Sequence, residues 1–66
     1  MDNFEIIKLA KNVYEVRHKL TGIKVGRINN TGDNTWLFFP AKNTVYQDFH
    51  LLEIVDMIQD IKLNNL

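Results

Sequence analysis

Cysteine and serine are both absent from this chain of 66 residues. Without cysteine the chain has no disulfide and no thiolate metal site, and without serine it also lacks the other common catalytic nucleophile. A domain of this size buries only about 60% of the surface that its unfolded chain exposes, so its margin of stability is small. We therefore expect stability to come from good packing or from association with another chain.

Net charge is absent as well, since eight basic side chains balance eight acidic ones. This balance argues against an obligatory nucleic-acid-binding protein, because such binding depends on cations that neutralise phosphates. No apolar run approaches the length of about 18 residues that indicates a membrane span. The N-terminus carries an acid, Asp2, where a secretory signal carries positive charge. We expect a cytoplasmic protein with no membrane partner.

Alternation of polar and apolar residues predicts a β-meander over residues 12–40. The segment "NVYEVRHKL" has the period of a half-buried strand, and "IKVGRIN" changes phase at Gly26, which indicates a bulge or a close backbone approach. The turn "NNTGDN" leads into a third strand, "TWLFF", which Pro40 ends. Residues 1–11 are predicted to form an extra strand or to cover the sheet.

One amphipathic helix is predicted over residues 48–63. Asp48 is the expected N-cap, and Thr44 is a rival start in the capping-box pattern. The apolar stripe, at about 100° per residue, consists of Leu51, Ile54, Val55, Ile58 and Ile61. The acidic residues that we expect on the solvated side are Asp48, Glu53, Asp56 and Asp60. The predicted fold is a single α+β domain over residues 1–66, in which a three- or possibly four-stranded antiparallel sheet carries a C-terminal helix on one face.

Catalytic and metal-binding patterns are weak. Neither His18 nor His50 has an acid or a nucleophile at a spacing that builds a triad, so we expect both to be half-exposed surface residues. His50 and Glu53 are three apart on the predicted helix, but two ligands do not make a metal site. The three glycines lie in different turns and form no phosphate loop. We predict a non-enzymatic protein with no cofactor, no metal and no small-molecule substrate.

Four large apolar side chains stand side by side in the third strand. Because a strand sends alternate side chains to opposite faces, Trp36 and Phe38 share one face and Leu37 and Phe39 share the other. On size we expect Trp36 and Phe38 to face the helix. Either way, two large apolar side chains are left on the far face. The N-terminal "FEIIKL", a second copy of the chain or a partner macromolecule would then cover them.

Cations occupy the outward positions of the first two strands. Arg17, Lys19 and Lys24 share this parity, and the position of Arg27 depends on the bulge. If Trp36 or Phe38 shares this face, the surface mixes rings with cations, the combination that binds bases and phosphates. The other interpretation is a solvated surface that discourages aggregation.

The order of elements over residues 12–62, three antiparallel strands and then a helix, is similar to two families of sheet-reading DNA-binding domains. These are the domains of plant ethylene-response factors and the arm-binding modules of phage integrases. The resemblance is one of topology, and it implies a sheet that enters the major groove.

We predict a small binding or regulatory protein that docks on a protein partner, or self-associates as a homodimer, through the sheet face. The alternative is a DNA- or RNA-binding module that uses the same face. Abundant Asn, Ile and Lys, typical of AT-rich genomes, indicate a phage or mobile-element accessory protein. The predicted binding residues are Arg17, Lys24, Arg27, Trp36, Leu37, Phe38 and Phe39.

Overall fold

The computed structural model describes residues 3–64, which form one antiparallel sheet and one helix. The elements are β1 (Phe4–Ala10), β2 (Val13–His18), β3 (Lys24–Asn30), β4 (Trp36–Pro40) and α1 (Asp48–Asn64). The strands lie in the order β1-β2-β3-β4. The predicted α+β meander with a C-terminal helix is confirmed, and the sheet has four strands. Within residues 3–64 no helix has both the length and the apolar character needed to cross a bilayer.

The N-terminal segment forms an edge strand. β1 pairs with β2 from Phe4 opposite His18 to Ala10 opposite Val13. It therefore extends the sheet and does not lie across its face, so the first alternative for this segment, an extra strand, is the one observed. Residues 1 and 2 of the predicted 1–11 segment lie outside the described residues.

A bulge in β3 explains the change of phase at Gly26. Val16 is opposite Gly26 while Arg17 is opposite Lys24, so Val25 is the extra residue. The bulge directs Val25 into the core, where it is buried. Gly26 is also the site of a close approach, because an added Cβ would lie 2.5 Å from a ring carbon of Phe38. Both features predicted for this glycine are confirmed.

The core lies between α1 and one face of the sheet. Trp36 and Phe38 pack against it, so the prediction that this pair faces the helix is confirmed. The hydroxyl of Tyr46 donates to the carbonyl of Val25 and ties the connection before α1 to β3. The buried apolar residues are Phe4, Tyr14, Val16, Val25, Ile28, Ile54 and Ile61.

α1 is rotated about its axis relative to the predicted apolar stripe. Ile54 and Ile61 are buried as expected, but Leu51 and Val55 are about half exposed. Met57, which lies outside the predicted stripe, packs against the core instead. The prediction that Leu51 and Val55 face the sheet is therefore wrong.

The rotation brings Glu53 to the start of β1. One carboxylate oxygen of Glu53 accepts the backbone N–H groups of Asn3 and Phe4, at 2.8 and 2.9 Å, and the other accepts the side-chain amide of Asn3 at 3.1 Å. The prediction of a solvated Glu53 is wrong, because its carboxylate binds these donors. No local pattern indicates them, since they lie 49 and 50 residues away in the sequence. Asp56 and Asp60 are exposed as expected, and they line a groove of about 510 Å³ between α1 and the start of β1.

The start of α1 is close to the predicted one. The carbonyl of Gln47 accepts the N–H groups of His50 and Leu51 at 3.0 and 3.2 Å, so Gln47 holds the N-cap position. The Asp48 carboxylate accepts the first-turn N–H of Phe49 at 2.8 Å. The prediction that Asp48 is the N-cap is therefore wrong by one position, although its carboxylate does satisfy a first-turn donor as predicted. Thr44 belongs to the preceding connection, since its hydroxyl donates to the carbonyl of Ala41 at 2.6 Å.

Candidate functional site

The sheet face that points away from α1, called the far face below, carries a row of side chains that crosses all four strands. Ile7 is opposite Glu15, Glu15 is opposite Arg27, and Arg27 is opposite Phe39. The next row contains Leu37, which is opposite Asn29. The far face is thus apolar at its two sides and charged along its middle.

Leu37 and Phe39 form the apolar part of the far face on β4. They are 40% and 45% exposed, and nothing in residues 3–64 covers them. The guanidinium of Arg27 lies 5.7 Å from the centre of the Phe39 ring, within the range of a cation–π contact. Such a contact at an exposed site contributes about 0.5–1 kcal/mol and holds the ring and the cation side by side.

Glu15 lies in the middle of the far face, yet it is only 8% exposed. The Nε–H of Arg17 donates to one of its carboxylate oxygens, and the ammonium of Lys24 lies 3.9 Å from the other. A carboxylate at this depth requires such partners, because removing a charge from water is costly. Two of the three predicted cations are therefore engaged within the chain. The sequence does contain a pattern that indicates this contact. Glu15 and Arg17 are two positions apart, which places both side chains on one face of a strand.

A basic corner lies at the outer end of β4. A depression of about 310 Å³ is lined by Lys24, Arg27, Phe39 and Lys42, together with Pro40 and Ala41. Arg27 and Lys42 have no ion pair with an acid in the described chain. These two cations are free to meet an external carboxylate or phosphate.

The structure brings together five of the seven predicted binding residues. Trp36 and Phe38 lie on the helix side and do not belong to the far face. The five that share the far face are Arg17, Lys24, Arg27, Leu37 and Phe39.

The two histidines are engaged in packing at the start of α1. The rings of His18 and His50 lie 5.7 and 5.5 Å from the ring of Phe4, between centres. Nδ1 of His50 accepts the N–H of Gln47 at 3.2 Å. Glu53, the other member of the weak metal pair, is bonded to the start of β1. In the part of the chain that the structure describes, no three His, Asp or Glu side chains are grouped so as to hold a metal ion.

Comparison with known proteins identifies no relative: no family model, curated protein or solved structure matches the chain. The resemblance to sheet-reading DNA-binding domains stays a prediction about topology. A function for the chain has to be inferred from its surfaces.

Proposed function

We propose that the chain is a small protein-binding module that docks on a protein partner through the far face. The observation that supports this most is that Leu37 and Phe39 stay exposed beside Arg27 and Lys42, two cations that make no ion pair among residues 3–64. An apolar patch with a charged rim is the usual composition of a docking surface. Arg and aromatic residues are also the types that contribute most to binding energy at such surfaces.

The charges on the rim select the kind of partner. Because Arg27 and Lys42 make no ion pair with an acid in the part of the chain that the structure describes, they favour a partner that places carboxylates next to its apolar contact residues. Such pairs increase the association rate and fix the orientation, while burial of Leu37 and Phe39 supplies the larger share of the affinity.

Nucleic acid is less favoured as the ligand of the far face. Arg17 and Lys24 already contact Glu15, and that carboxylate offsets part of their positive charge. Arg27 and Lys42 alone neutralise about two phosphates, whereas strong binding to duplex DNA uses about six to ten such contacts. A DNA- or RNA-binding module that uses this face is therefore the second candidate.

The proposal is tested by mutating the patch and its rim. We expect Phe39→Asp to weaken binding at least tenfold, because it places a carboxylate in the apolar contact. Arg27→Ala should weaken it about three- to tenfold. Val45→Asp is the matched control, since Val45 is 90% exposed on the connection before α1. The partner is recovered from the source organism by affinity capture, purified, and titrated against each variant, and circular dichroism verifies that each variant is folded.

Three results would contradict the proposal. Equal loss of binding in Phe39→Asp and Val45→Asp would place the contact elsewhere. A solution mass of twice 7.8 kDa that Phe39→Asp halves would assign the far face to a second copy of the chain. Retention on an oligonucleotide that falls steeply with salt, and is lost in Arg27→Ala, would favour the nucleic-acid candidate.

A further inference from the structure

A second surface lies on the helix side of the sheet, at the end where the β1–β2 and β3–β4 turns meet the last turn of α1. A groove of about 420 Å³ opens there. Three lysines, three asparagines and the rings of Tyr14 and Trp36 line it, together with Ile61. No carboxylate is among its lining residues in the described chain. The volume is within the range of about 300–1,000 Å³ that small-ligand sites occupy.

Two aromatic rings form the wall of the groove. The rings of Tyr14 and Trp36 lie 6.2 Å apart, between centres, and are inclined by 36°. Tyr14 is buried and supports Trp36, which is partly exposed. The indole N–H of Trp36 donates to the side-chain oxygen of Asn34 at 3.4 Å, which limits rotation of the ring. A partly exposed and supported indole is a surface on which a nucleobase stacks, and such stacking contributes about 1–3 kcal/mol per base.

The lysines give the groove its charge. The ammonium of Lys8 lies 5.9 Å from the centre of the Tyr14 ring, Lys11 is in the β1–β2 turn, and Lys62 is in the last turn of α1. Lys62 offsets the partial negative charge at the helix C-terminus, so Lys8 and Lys11 supply the excess positive charge. None of the three makes an ion pair with an acid among residues 3–64. Unpaired ammonium groups beside an exposed ring suit a ligand that combines an anion with a flat ring.

We propose that this groove binds a nucleoside 5′-phosphate, either free or as the end of a single-stranded nucleic acid. The base stacks on Trp36, Lys8 and Lys11 contact the phosphate, and the asparagine amides offer donors to the base and the sugar. This ligand class departs from the expectation of no small-molecule partner. The groove shares no residue with the far face, so each proposal can be tested independently of the other.

Trp36 is the single tryptophan of the chain, so its fluorescence reports on this groove directly. We expect saturable quenching by adenosine 5′-monophosphate, or by a 5′-phosphorylated oligonucleotide, and binding at least tenfold weaker for unphosphorylated adenosine. Lys11→Ala should weaken binding of the phosphorylated ligand about tenfold, since it removes a charge-assisted contact without changing the packed core. Lys19→Ala is the matched control, because it removes an exposed lysine in the β2–β3 turn, at the opposite end of the sheet.

The outcomes separate the two sources of the ligand. Equal affinity for the mononucleotide and the oligonucleotide assigns the groove to a free nucleotide, and affinity for the oligonucleotide alone assigns it to a nucleic-acid end. Absence of saturable quenching by either ligand at millimolar concentration would overturn the proposal. So would equal losses in Lys11→Ala and Lys19→Ala, because the groove would then not be the site. Displacement of the nucleotide by inorganic phosphate at an equal concentration would also overturn it, because stacking would then add nothing.

Discussion

Gly26 is the residue at which a backbone irregularity and a side-chain contact coincide. It follows the bulge residue Val25, and its missing side chain leaves room for the ring of Phe38. The carbonyl oxygen of Phe39 would lie only 2.8 Å from an added Cβ. Backbone atoms of a paired strand shift less readily than the end of a flexible side chain, so this position has little room for relaxation.

We expect Gly26→Ala to lower the free energy of unfolding by about 1–3 kcal/mol, the usual cost of overpacking a core. Urea denaturation monitored by Trp36 fluorescence measures the loss. In a Phe38→Leu background the same change should cost less, because the ring that opposes the new methyl group is gone. Strictly additive losses in the double variant would show that the carbonyl of Phe39, and not the ring of Phe38, opposes the new methyl group.

Asp33 organises the β3–β4 turn. Its carboxylate accepts the hydroxyl of Thr31 and, at 3.2 Å, the backbone N–H of Thr35. The hydrogen bond from Thr31, followed by those from Thr35, lowers the pKa of this exposed carboxyl below its usual value, because the ionised form is the better acceptor. The folded-state pKa is thus below that of the unfolded chain. The turn's contribution to stability is present at neutral pH and is lost as the pH falls through the folded-state pKa.

We expect a carbon-detected NMR titration to give a lowered pKa for Asp33, and Thr31→Val to raise it towards the usual value. The reason is that valine keeps the shape of the side chain and removes the donor. An unchanged pKa in Thr31→Val would show that the hydrogen bonds from Thr35 hold the carboxylate without Thr31.

α1 shows how one polar contact sets the rotation of a helix whose apolar residues are spread around its axis. Leu51, Leu52 and Val55 lie on exposed positions, so apolar character alone does not define a single buried stripe. The hydrogen bonds of Glu53 to Asn3 and Phe4 fix one flank of the helix at the start of β1. A charged acceptor satisfies two donors there that the edge strand leaves without a strand partner.

We expect Glu53→Gln to lower the free energy of unfolding by about 1–2 kcal/mol. The reason is that a hydrogen bond to a charged acceptor stabilises the fold more than a hydrogen bond to a neutral amide. Asp56→Asn is the matched control on the same helix, because it removes one negative charge from an exposed side chain. We expect it to change stability by less than about 0.5 kcal/mol. Thermal and urea unfolding of both variants provides the test. Equal losses of stability would mean that the removal of one negative charge from the helix, and not the loss of this contact, causes the destabilisation.

The strands were more predictable than the helix orientation. In β2 and β4, strict alternation assigned each side chain to a face, and Gly26 marked the bulge in β3. In β1 the adjacent Ile6 and Ile7 gave no preferred face, because one packs on the core and the other lies on the far face. The contact that orients α1 spans 50 residues, and no local pattern contains it.

At the scale of the whole molecule, the far face and the groove differ in how far the sequence predicts them. Arg27, Leu37 and Phe39 follow from strand parity once the helix side is known. The groove needs residues from separate segments, Lys11 in a turn and Lys62 at the end of α1, which only the folded chain brings to Trp36. The predicted combination of Trp36 or Phe38 with the outward cations does not occur, because both rings pack on the helix side. Phe39 is the ring that lies beside Arg27.

The groove with three lysines and the groove that Asp56 and Asp60 line place opposite charges at separate positions among residues 3–64, although the formal net charge of the chain is zero. Near a charged surface, a neutral protein whose opposite charges are separated experiences a torque before it experiences a net attraction. It therefore turns one particular side towards a partner during approach, at distances within about one Debye length, roughly 8–10 Å at physiological ionic strength. Encounter geometry in this protein is thus sensitive to added salt even at its isoelectric point.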